Sequence, residues 1–140
     1  MASTPARLGK THKAIVGYLD GRRLKGHIYD FAASKTVFHM YPAEDPLHAK
    51  AMMVQVAELK AVFFLKEFEG KKEHQEAREG ASPKHGKKVE VTFMDGEIIV
   101  GGTEDYNRMK LGFFLTPVDP ESNNIRIFVV NKNVRGVKVL

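Results

Sequence analysis

From Lys88 to Phe93 the chain alternates polar and apolar residues, the period of a strand with one buried face. Met94-Asp95-Gly96-Glu97 follows. An Asp-Gly pair signals a hairpin, because glycine accepts the positive φ that such turns need. A second strand is expected over residues 97–103, where Gly101 and Gly102 predict a bulge or sharp bend. A third is expected over 111–117, a fourth over 125–130 and a fifth over 134–140. Polar turns at Asp119–Asn124 and Asn131–Asn133 separate these last three. Five short strands in such a span describe a small, strongly bent barrel.

The same pattern occurs earlier in the chain. Residues 13–65 and 88–140 align without a gap at an offset of 75, with 12 of 53 positions identical. The matched pairs include Val16/Val91, Asp20/Asp95, Gly21/Gly96, Gly26/Gly101, Asp30/Asp105, Phe38/Phe113, Pro42/Pro117, Val54/Val129 and Val62/Val137. An internal duplication is expected. The fold class is therefore mainly β: two tandem five-stranded small barrels packed as a pseudo-symmetric pair. Residues 1–12 read as a flexible tail and residues 66–87, rich in charge with Gly70, Gly80, Pro83 and Gly86, as a solvated linker. One segment conflicts with this scheme. Residues 47–69 have respectable helix propensity, yet their counterpart Ile125–Val130 reads plainly as strand. The gapless repeat decides for strands over 52–56 and 59–66.

Composition narrows the chemistry. The 140 residues include no cysteine, which excludes disulfides, thiol redox chemistry and cysteine metal sites and fits a reducing compartment. The basic, polar start has no apolar core of a secretory signal, and the longest apolar run, Ala61–Leu65, is far short of a membrane span. A cytoplasmic protein is expected. The formal charge is +5, from 22 basic and 17 acidic residues, with the excess in the first half. That bias permits an anionic partner without demanding one.

The repeated unit runs hydrophobic strand, Asp-Gly turn, basic strand ending in glycine, Asp-aromatic, strand, hairpin and last strand. It resembles the Sm-like fold, a five-stranded SH3-like barrel. The residues that carry the resemblance are Val16–Arg22, Gly26–Phe31 and Leu59–Val62, then Val91–Gly96, Gly101–Tyr106 and Val134–Val137. The whole chain also looks like an uncharacterised bacterial domain family that carries the unit twice, sometimes near PilZ domains. The resemblance implies a binding module. Sm-like proteins read RNA with an Asn after the Asp-aromatic pair, and here only Asn107 fits that pattern.

No catalytic constellation stands out, so no enzyme and no cofactor is expected. The six histidines lack metal-ligand spacing, and no metal site is expected. The repeated aspartates read as turn and strand-end acceptors. The second strand of the first copy is the best binding candidate. Leu24, Gly26 and Ile28 would point inward, leaving Arg23, Lys25, His27 and Tyr29, with Arg22 at the turn, as a cationic row ending in an aromatic. Such a row suits RNA or another anionic ligand. In the second copy Ile98 and Val100 replace Arg23 and Lys25, and Phe63 stands where that copy has Lys138. These outward apolar residues are expected to form a contact between the barrels or an oligomer seam. The function expected is a non-enzymatic binding or regulatory module for RNA or an anionic ligand. A protein-interaction or scaffolding module is the alternative, and a nucleotide second-messenger receptor a third reading.

Overall fold

A computed structural model describes residues 11–44, 50–69, 86–119 and 121–140. Ten strands carry the described chain: β1 (His12–Tyr18), β2 (Arg23–Ile28), β3 (Val37–Pro42), β4 (Met52–Gln55), β5 (Leu59–Leu65), β6 (Lys87–Phe93), β7 (Ile98–Thr103), β8 (Gly112–Pro117), β9 (Asn124–Val130) and β10 (Val134–Val139). Two single 3-10 turns, Val56–Glu58 and Asn131–Asn133, separate β4 from β5 and β9 from β10. Within the segment with helix propensity, residues 52–65 are thus strand, turn and strand, and residues 47–49 lie outside the described residues. The contacts it makes in the sheet override its local preference. The tail falls almost entirely outside the described residues, although His12 already belongs to β1; of the linker, residues 70–85 lie outside them.

Local chemistry explains the turns. Gly21 and Gly96 have φ of 99° and 94°, the left-handed region that the Asp-Gly hairpins require. Asp20 Oδ1 accepts the backbone N–H of Arg22 at 3.0 Å, and Asp95 Oδ1 that of Glu97 at 3.0 Å. Asp30 accepts the N–H of His39 at 2.8 Å, and Asp105 that of Phe114 at 3.3 Å. Each of these pairs recurs at the offset of 75. The Gly101-Gly102 pair makes no bulge: β6 and β7 stay in register from Lys87↔Thr103 to Thr92↔Ile98. Glycine serves close approach instead. A Cβ on Gly101 would lie 2.6 Å from the Thr116 carbonyl oxygen, and one on Gly26 would lie 2.2 Å from that of Tyr41.

The strands form one open antiparallel sheet in the order β10-β6-β7-β8-β9-β5-β1-β2-β3-β4. Hydrogen bonding therefore runs continuously through the chain, where two separate barrels were expected. The connection is β5 to β9, with Ala61↔Val129, Val62↔Phe128 and Phe63↔Ile127 in register.

Two apolar cores lie on opposite faces of that seam. Val62 and Phe64 of β5, with Phe128 and Val130 of β9, join Val16, Ile28, Phe38, Met40 and Val54 in the first core. Ala61, Phe63 and Leu65, with Ile127 and Val129, join Val91, Phe93, Phe113 and Leu115 in the second. Successive strand residues face opposite sides, so β5 and β9 each feed both cores. This accounts for the apolar run in β5, where every residue from Leu59 to Leu65 is buried. A strand covered on both faces has no polar face to alternate with.

Lys60 is the one charged residue inside that run, and it is 6% exposed. Its ammonium donates to Asp95 Oδ2 at 2.9 Å and to Glu97 Oε1, and lies 5.3 Å from the Phe93 ring centre. Burial opposes the charged form, but the hydrogen bonds to Glu97 and Asp95 hold the Lys60 pKa above its ordinary value. Asn133 closes the same seam by donating from Nδ2 to the carbonyl oxygens of Ala57 at 3.1 Å and Leu59 at 2.6 Å.

Candidate functional site

The face of β1 and β2 that turns away from the first core is continuous with the inner face of the second. The register places Lys25 opposite Ile15, Ile15 opposite Phe63 and Phe63 opposite Ile127. One row of side chains thus crosses β2, β1, β5 and β9 on a single face. In the adjacent row Arg23 faces Gly17. With no side chain at Gly17, the Phe63 ring edge comes within 3.4 Å of where a Cβ would stand. The Arg23 guanidinium lies 5.6 Å from the centre of that ring.

Two cavities meet at this point. The first, about 370 Å³, is lined on one side by Ile15, Arg23 and Phe63 and on the other by Ile98, Ile99 and Val100 of β7. Leu65, Glu97, Pro117, Asn123, Asn124 and Ile127 complete its wall. The second, about 430 Å³, is lined by Ile15, Arg23, Leu24, Lys25, Met40, Pro42, Glu44 and Met52. Ile15 and Arg23 belong to both, so the two cavities adjoin at these residues and are together called the groove below. Among the described residues no carboxylate lies within salt-bridge distance of Arg23. Each cavity has one acid in its wall: Glu97 in the first, engaged with Lys60, and Glu44 in the second.

The five residues of the expected cationic row have different surroundings. Inward placement of Leu24, Gly26 and Ile28 is observed, with Gly26 and Ile28 buried and Leu24 packed on the first core. Arg22 sits at the turn, bound to Asp20 at 2.9 Å, with its guanidinium 4.2 Å over the Tyr18 ring. The Arg22 backbone N–H, and then its guanidinium, lower the Asp20 pKa. Arg23 and Lys25 face the groove. Lys25 donates to the Phe68 carbonyl at 3.4 Å. His27 meets the Phe68 ring edge-on at 5.1 Å and shares a 3.2 Å hydrogen bond with Thr11. Burial, and secondly the Lys13 charge, push the His27 pKa below its ordinary value, which favours the neutral ring near pH 7. Tyr29 packs against Tyr41 at 5.7 Å. The segment just after β5 therefore lies across this face: Phe68 reaches Lys25 and His27, and Glu67 pairs with Lys13 at 3.4 Å.

Phe63, Ile98 and Val100, the expected inter-barrel residues, come together as walls of the first cavity. Phe63 is 8% exposed, while Ile98 and Val100 are half-buried. Other residues that bridge the halves escaped the sequence reading. Phe31 packs edge-on against Phe64, Phe114 and Phe128 at 5.3, 6.2 and 5.0 Å, and Phe114 meets Phe128 at 5.2 Å. Arg126 lies 4.3 Å over Phe114 and 5.0 Å from Phe64. The sign was present, because Phe114 and Phe128 correspond at the offset of 75 to His39 and Met53. An apolar residue in one copy against a polar one in the other, as Phe114 against His39, is the same kind of signal that singled out Ile98.

No group of three or more His, Cys, Asp or Glu among the described residues is placed to hold a metal ion. None of the described helical segments is long and apolar enough to cross a membrane. Fold and groove together define an antiparallel, mainly β protein with a cleft of mixed apolar and polar lining, in which Arg23 makes no salt bridge among the described residues. Residues 10–140 match a family of unknown function, DUF6982, and the chain belongs to that family. No curated protein and no solved structure matches it.

Proposed function

We propose that the protein is a non-catalytic binding module that takes an anionic, partly apolar ligand into the groove at Arg23. The observation that carries this reading is the Arg23 guanidinium, 5.6 Å from the Phe63 ring centre and lining both cavities, with no salt bridge among the described residues. Arg23 is exposed, so its guanidinium is accessible for charge-assisted hydrogen bonds to an anion while Ile15, Phe63 and Ile98 offer apolar contact beside it. The cavities have the volume of ordinary small-ligand sites. Lys25 stands at the edge of the same groove as a second cation. The wider cationic platform needed to stack RNA bases has less support, since Arg22, His27 and Tyr29 are engaged within the chain. We also read the two halves as copies of one Sm-like unit. The support is the recurrence of turns, capping bonds and close glycine contacts at the offset of 75.

The test uses 1-anilinonaphthalene-8-sulfonate, an anion on an apolar body, beside the uncharged N-phenyl-1-naphthylamine. Arg23→Ala should weaken the sulfonate about tenfold and leave the neutral dye nearly unchanged. Arg22→Ala should affect neither. Equal affinity of wild type and Arg23→Ala for the sulfonate removes the proposal. A labelled single-stranded RNA forms the third arm. Salt-sensitive binding lost when Lys25 is also replaced would assign the ligand to nucleic acid.

A further inference from the structure

Besides lining the groove, Lys25 belongs to a row of basic residues on one face of β1 and β2. Val16 and Ile28 face the first core, so Lys13, Arg23, Lys25 and His27 point the other way. Lys13 stands opposite His27. Arg23 and Lys25 are two residues apart on one strand, which sets their Cα atoms about 7 Å apart. Across this row lies the segment that follows β5. Glu67 places a carboxylate 3.4 Å from the Lys13 ammonium. The Phe68 carbonyl accepts from Lys25 at 3.4 Å, and the Phe68 ring meets His27 edge-on at 5.1 Å. A carboxylate, a carbonyl oxygen and an apolar ring thus cover the basic residues beside Arg23. That is the chemistry of an anionic, partly apolar ligand, supplied by the chain itself.

We propose that Glu67 and Phe68 form an internal competitor for the groove, displaced by a ligand whose two anionic groups bridge Arg23 and Lys25. The inference rests on the groove reading above and adds its control. The segment has an anchor and a detachable end. Lys66 N–H donates to the Asn123 carbonyl at 2.8 Å, and Glu67 N–H to Asn123 Oδ1 at 3.1 Å. Asn123 Nδ2 donates in return to the Glu67 carbonyl at 2.7 Å. These bonds have ordinary lengths. Beyond them the contacts to Lys13 and Lys25 are long and exposed, a kind that contributes little in water. An anion that makes charge-assisted bonds to Arg23 and Lys25 together outcompetes them. The Lys25 ammonium has three protons, so the carbonyl alone would leave room for an anion. The Glu67 carboxylate, next in the chain, repels a second negative charge, and the Phe68 ring occupies the face at His27. A ligand with one anionic group at Arg23 leaves Lys25 on the Phe68 carbonyl and does not meet the competitor. The device belongs to the first half alone. At the offset of 75 the counterparts of Arg23, Lys25 and His27 are Ile98, Val100 and Gly102, whose side chains offer no donor to a carboxylate or carbonyl.

Calorimetric titration of the full chain with naphthalene-1-sulfonate and naphthalene-1,5-disulfonate tests this, because the two share one apolar body and differ in charge. Phe68→Ala should bind the disulfonate about tenfold more tightly than wild type, and the monosulfonate within about twofold of it. Adding Lys25→Ala to Phe68→Ala should abolish that gain. Glu67→Gln, at an exposed position, should shift the disulfonate in the same direction, and it decides the matter if Phe68→Ala does not fold by circular dichroism. Arg23→Ala reports on the groove itself. Binding of both probes unchanged by Arg23→Ala, or no binding by any of the proteins, overturns the groove reading and the competitor with it. Where binding depends on Arg23, a folded Phe68→Ala that holds the disulfonate no more tightly overturns the competitor alone, whatever Glu67→Gln does. An equal gain for both probes also overturns it, since that marks a wall of the cavity and not a rival for Lys25.

Discussion

Phe128 belongs by sequence to the second half, yet its ring lies in the first core, fully buried. Truncation to alanine removes its edge-on contacts with Phe31 at 5.0 Å and Phe114 at 5.2 Å and leaves a cavity of nearly a whole ring. Substitutions of this kind cost about 3–5 kcal/mol. A domain has about 5–15 kcal/mol in total, so the loss is a large part of the stability. The melting midpoint should fall by about 10 °C or more. The distribution of the effect is more informative than its size. The cavity opens among first-half residues, while β9 is held by β5 on one side and β8 on the other. Amide hydrogen exchange followed residue by residue should show strands β1–β3 and β6–β8 losing protection together. Phe113→Ala, a truncation in the second core, should give the same two-sided pattern. If Phe128→Ala accelerates exchange only within residues 88–140, the halves are independent and the shared-seam argument fails.

Glycine substitutions separate crowding from simple exposure. Gly101→Ala places a Cβ 2.6 Å from both Leu115 Cγ and the Thr116 oxygen, and should cost about 1–3 kcal/mol in denaturant melts. Gly136→Ala meets nothing within 4 Å and should change stability by less than about 0.5 kcal/mol. The seam also predicts a pH response. The Lys60 hydrogen bond, and then the Glu97 backbone N–H, hold the Asp95 pKa below its ordinary value. A carboxyl depressed on folding contributes stability that is present above its unfolded pKa and lost as pH falls through the folded one. Stability should therefore decline below about pH 4, and Lys60→Met should flatten that decline. A decline of equal steepness in both proteins would show that the Lys60–Asp95 contact carries none of it.

The strands were legible because their causes are local. Alternation in Lys88–Phe93, the Asp-Gly pairs and the polar breaks specify where a strand starts and stops, whatever it packs against. The gapless offset carried the same answer into residues 52–65, where propensity pointed elsewhere. Of the cationic row, sequence placed Arg23, Lys25 and His27 on the face away from the first core but not their surroundings. That Arg22 is bound by Asp20, and His27 covered by Phe68, depends on chain geometry that no spacing encodes.

Strand content, turn positions and inward faces follow from residue order alone, because backbone dihedrals and side-chain alternation are properties of short segments. Which strands lie side by side across the halves is different. Pairing β5 with β9 joins residues 59 to 68 positions apart, and only the mutual burial of their two faces selects it. That choice merged two expected barrels into one sheet, turned the outer face of β1 and β2 towards the second core, and set Arg23 in a groove. The cause is physical: apolar area on both faces of β5 needs two cores to bury it, and only the assembled sheet supplies them.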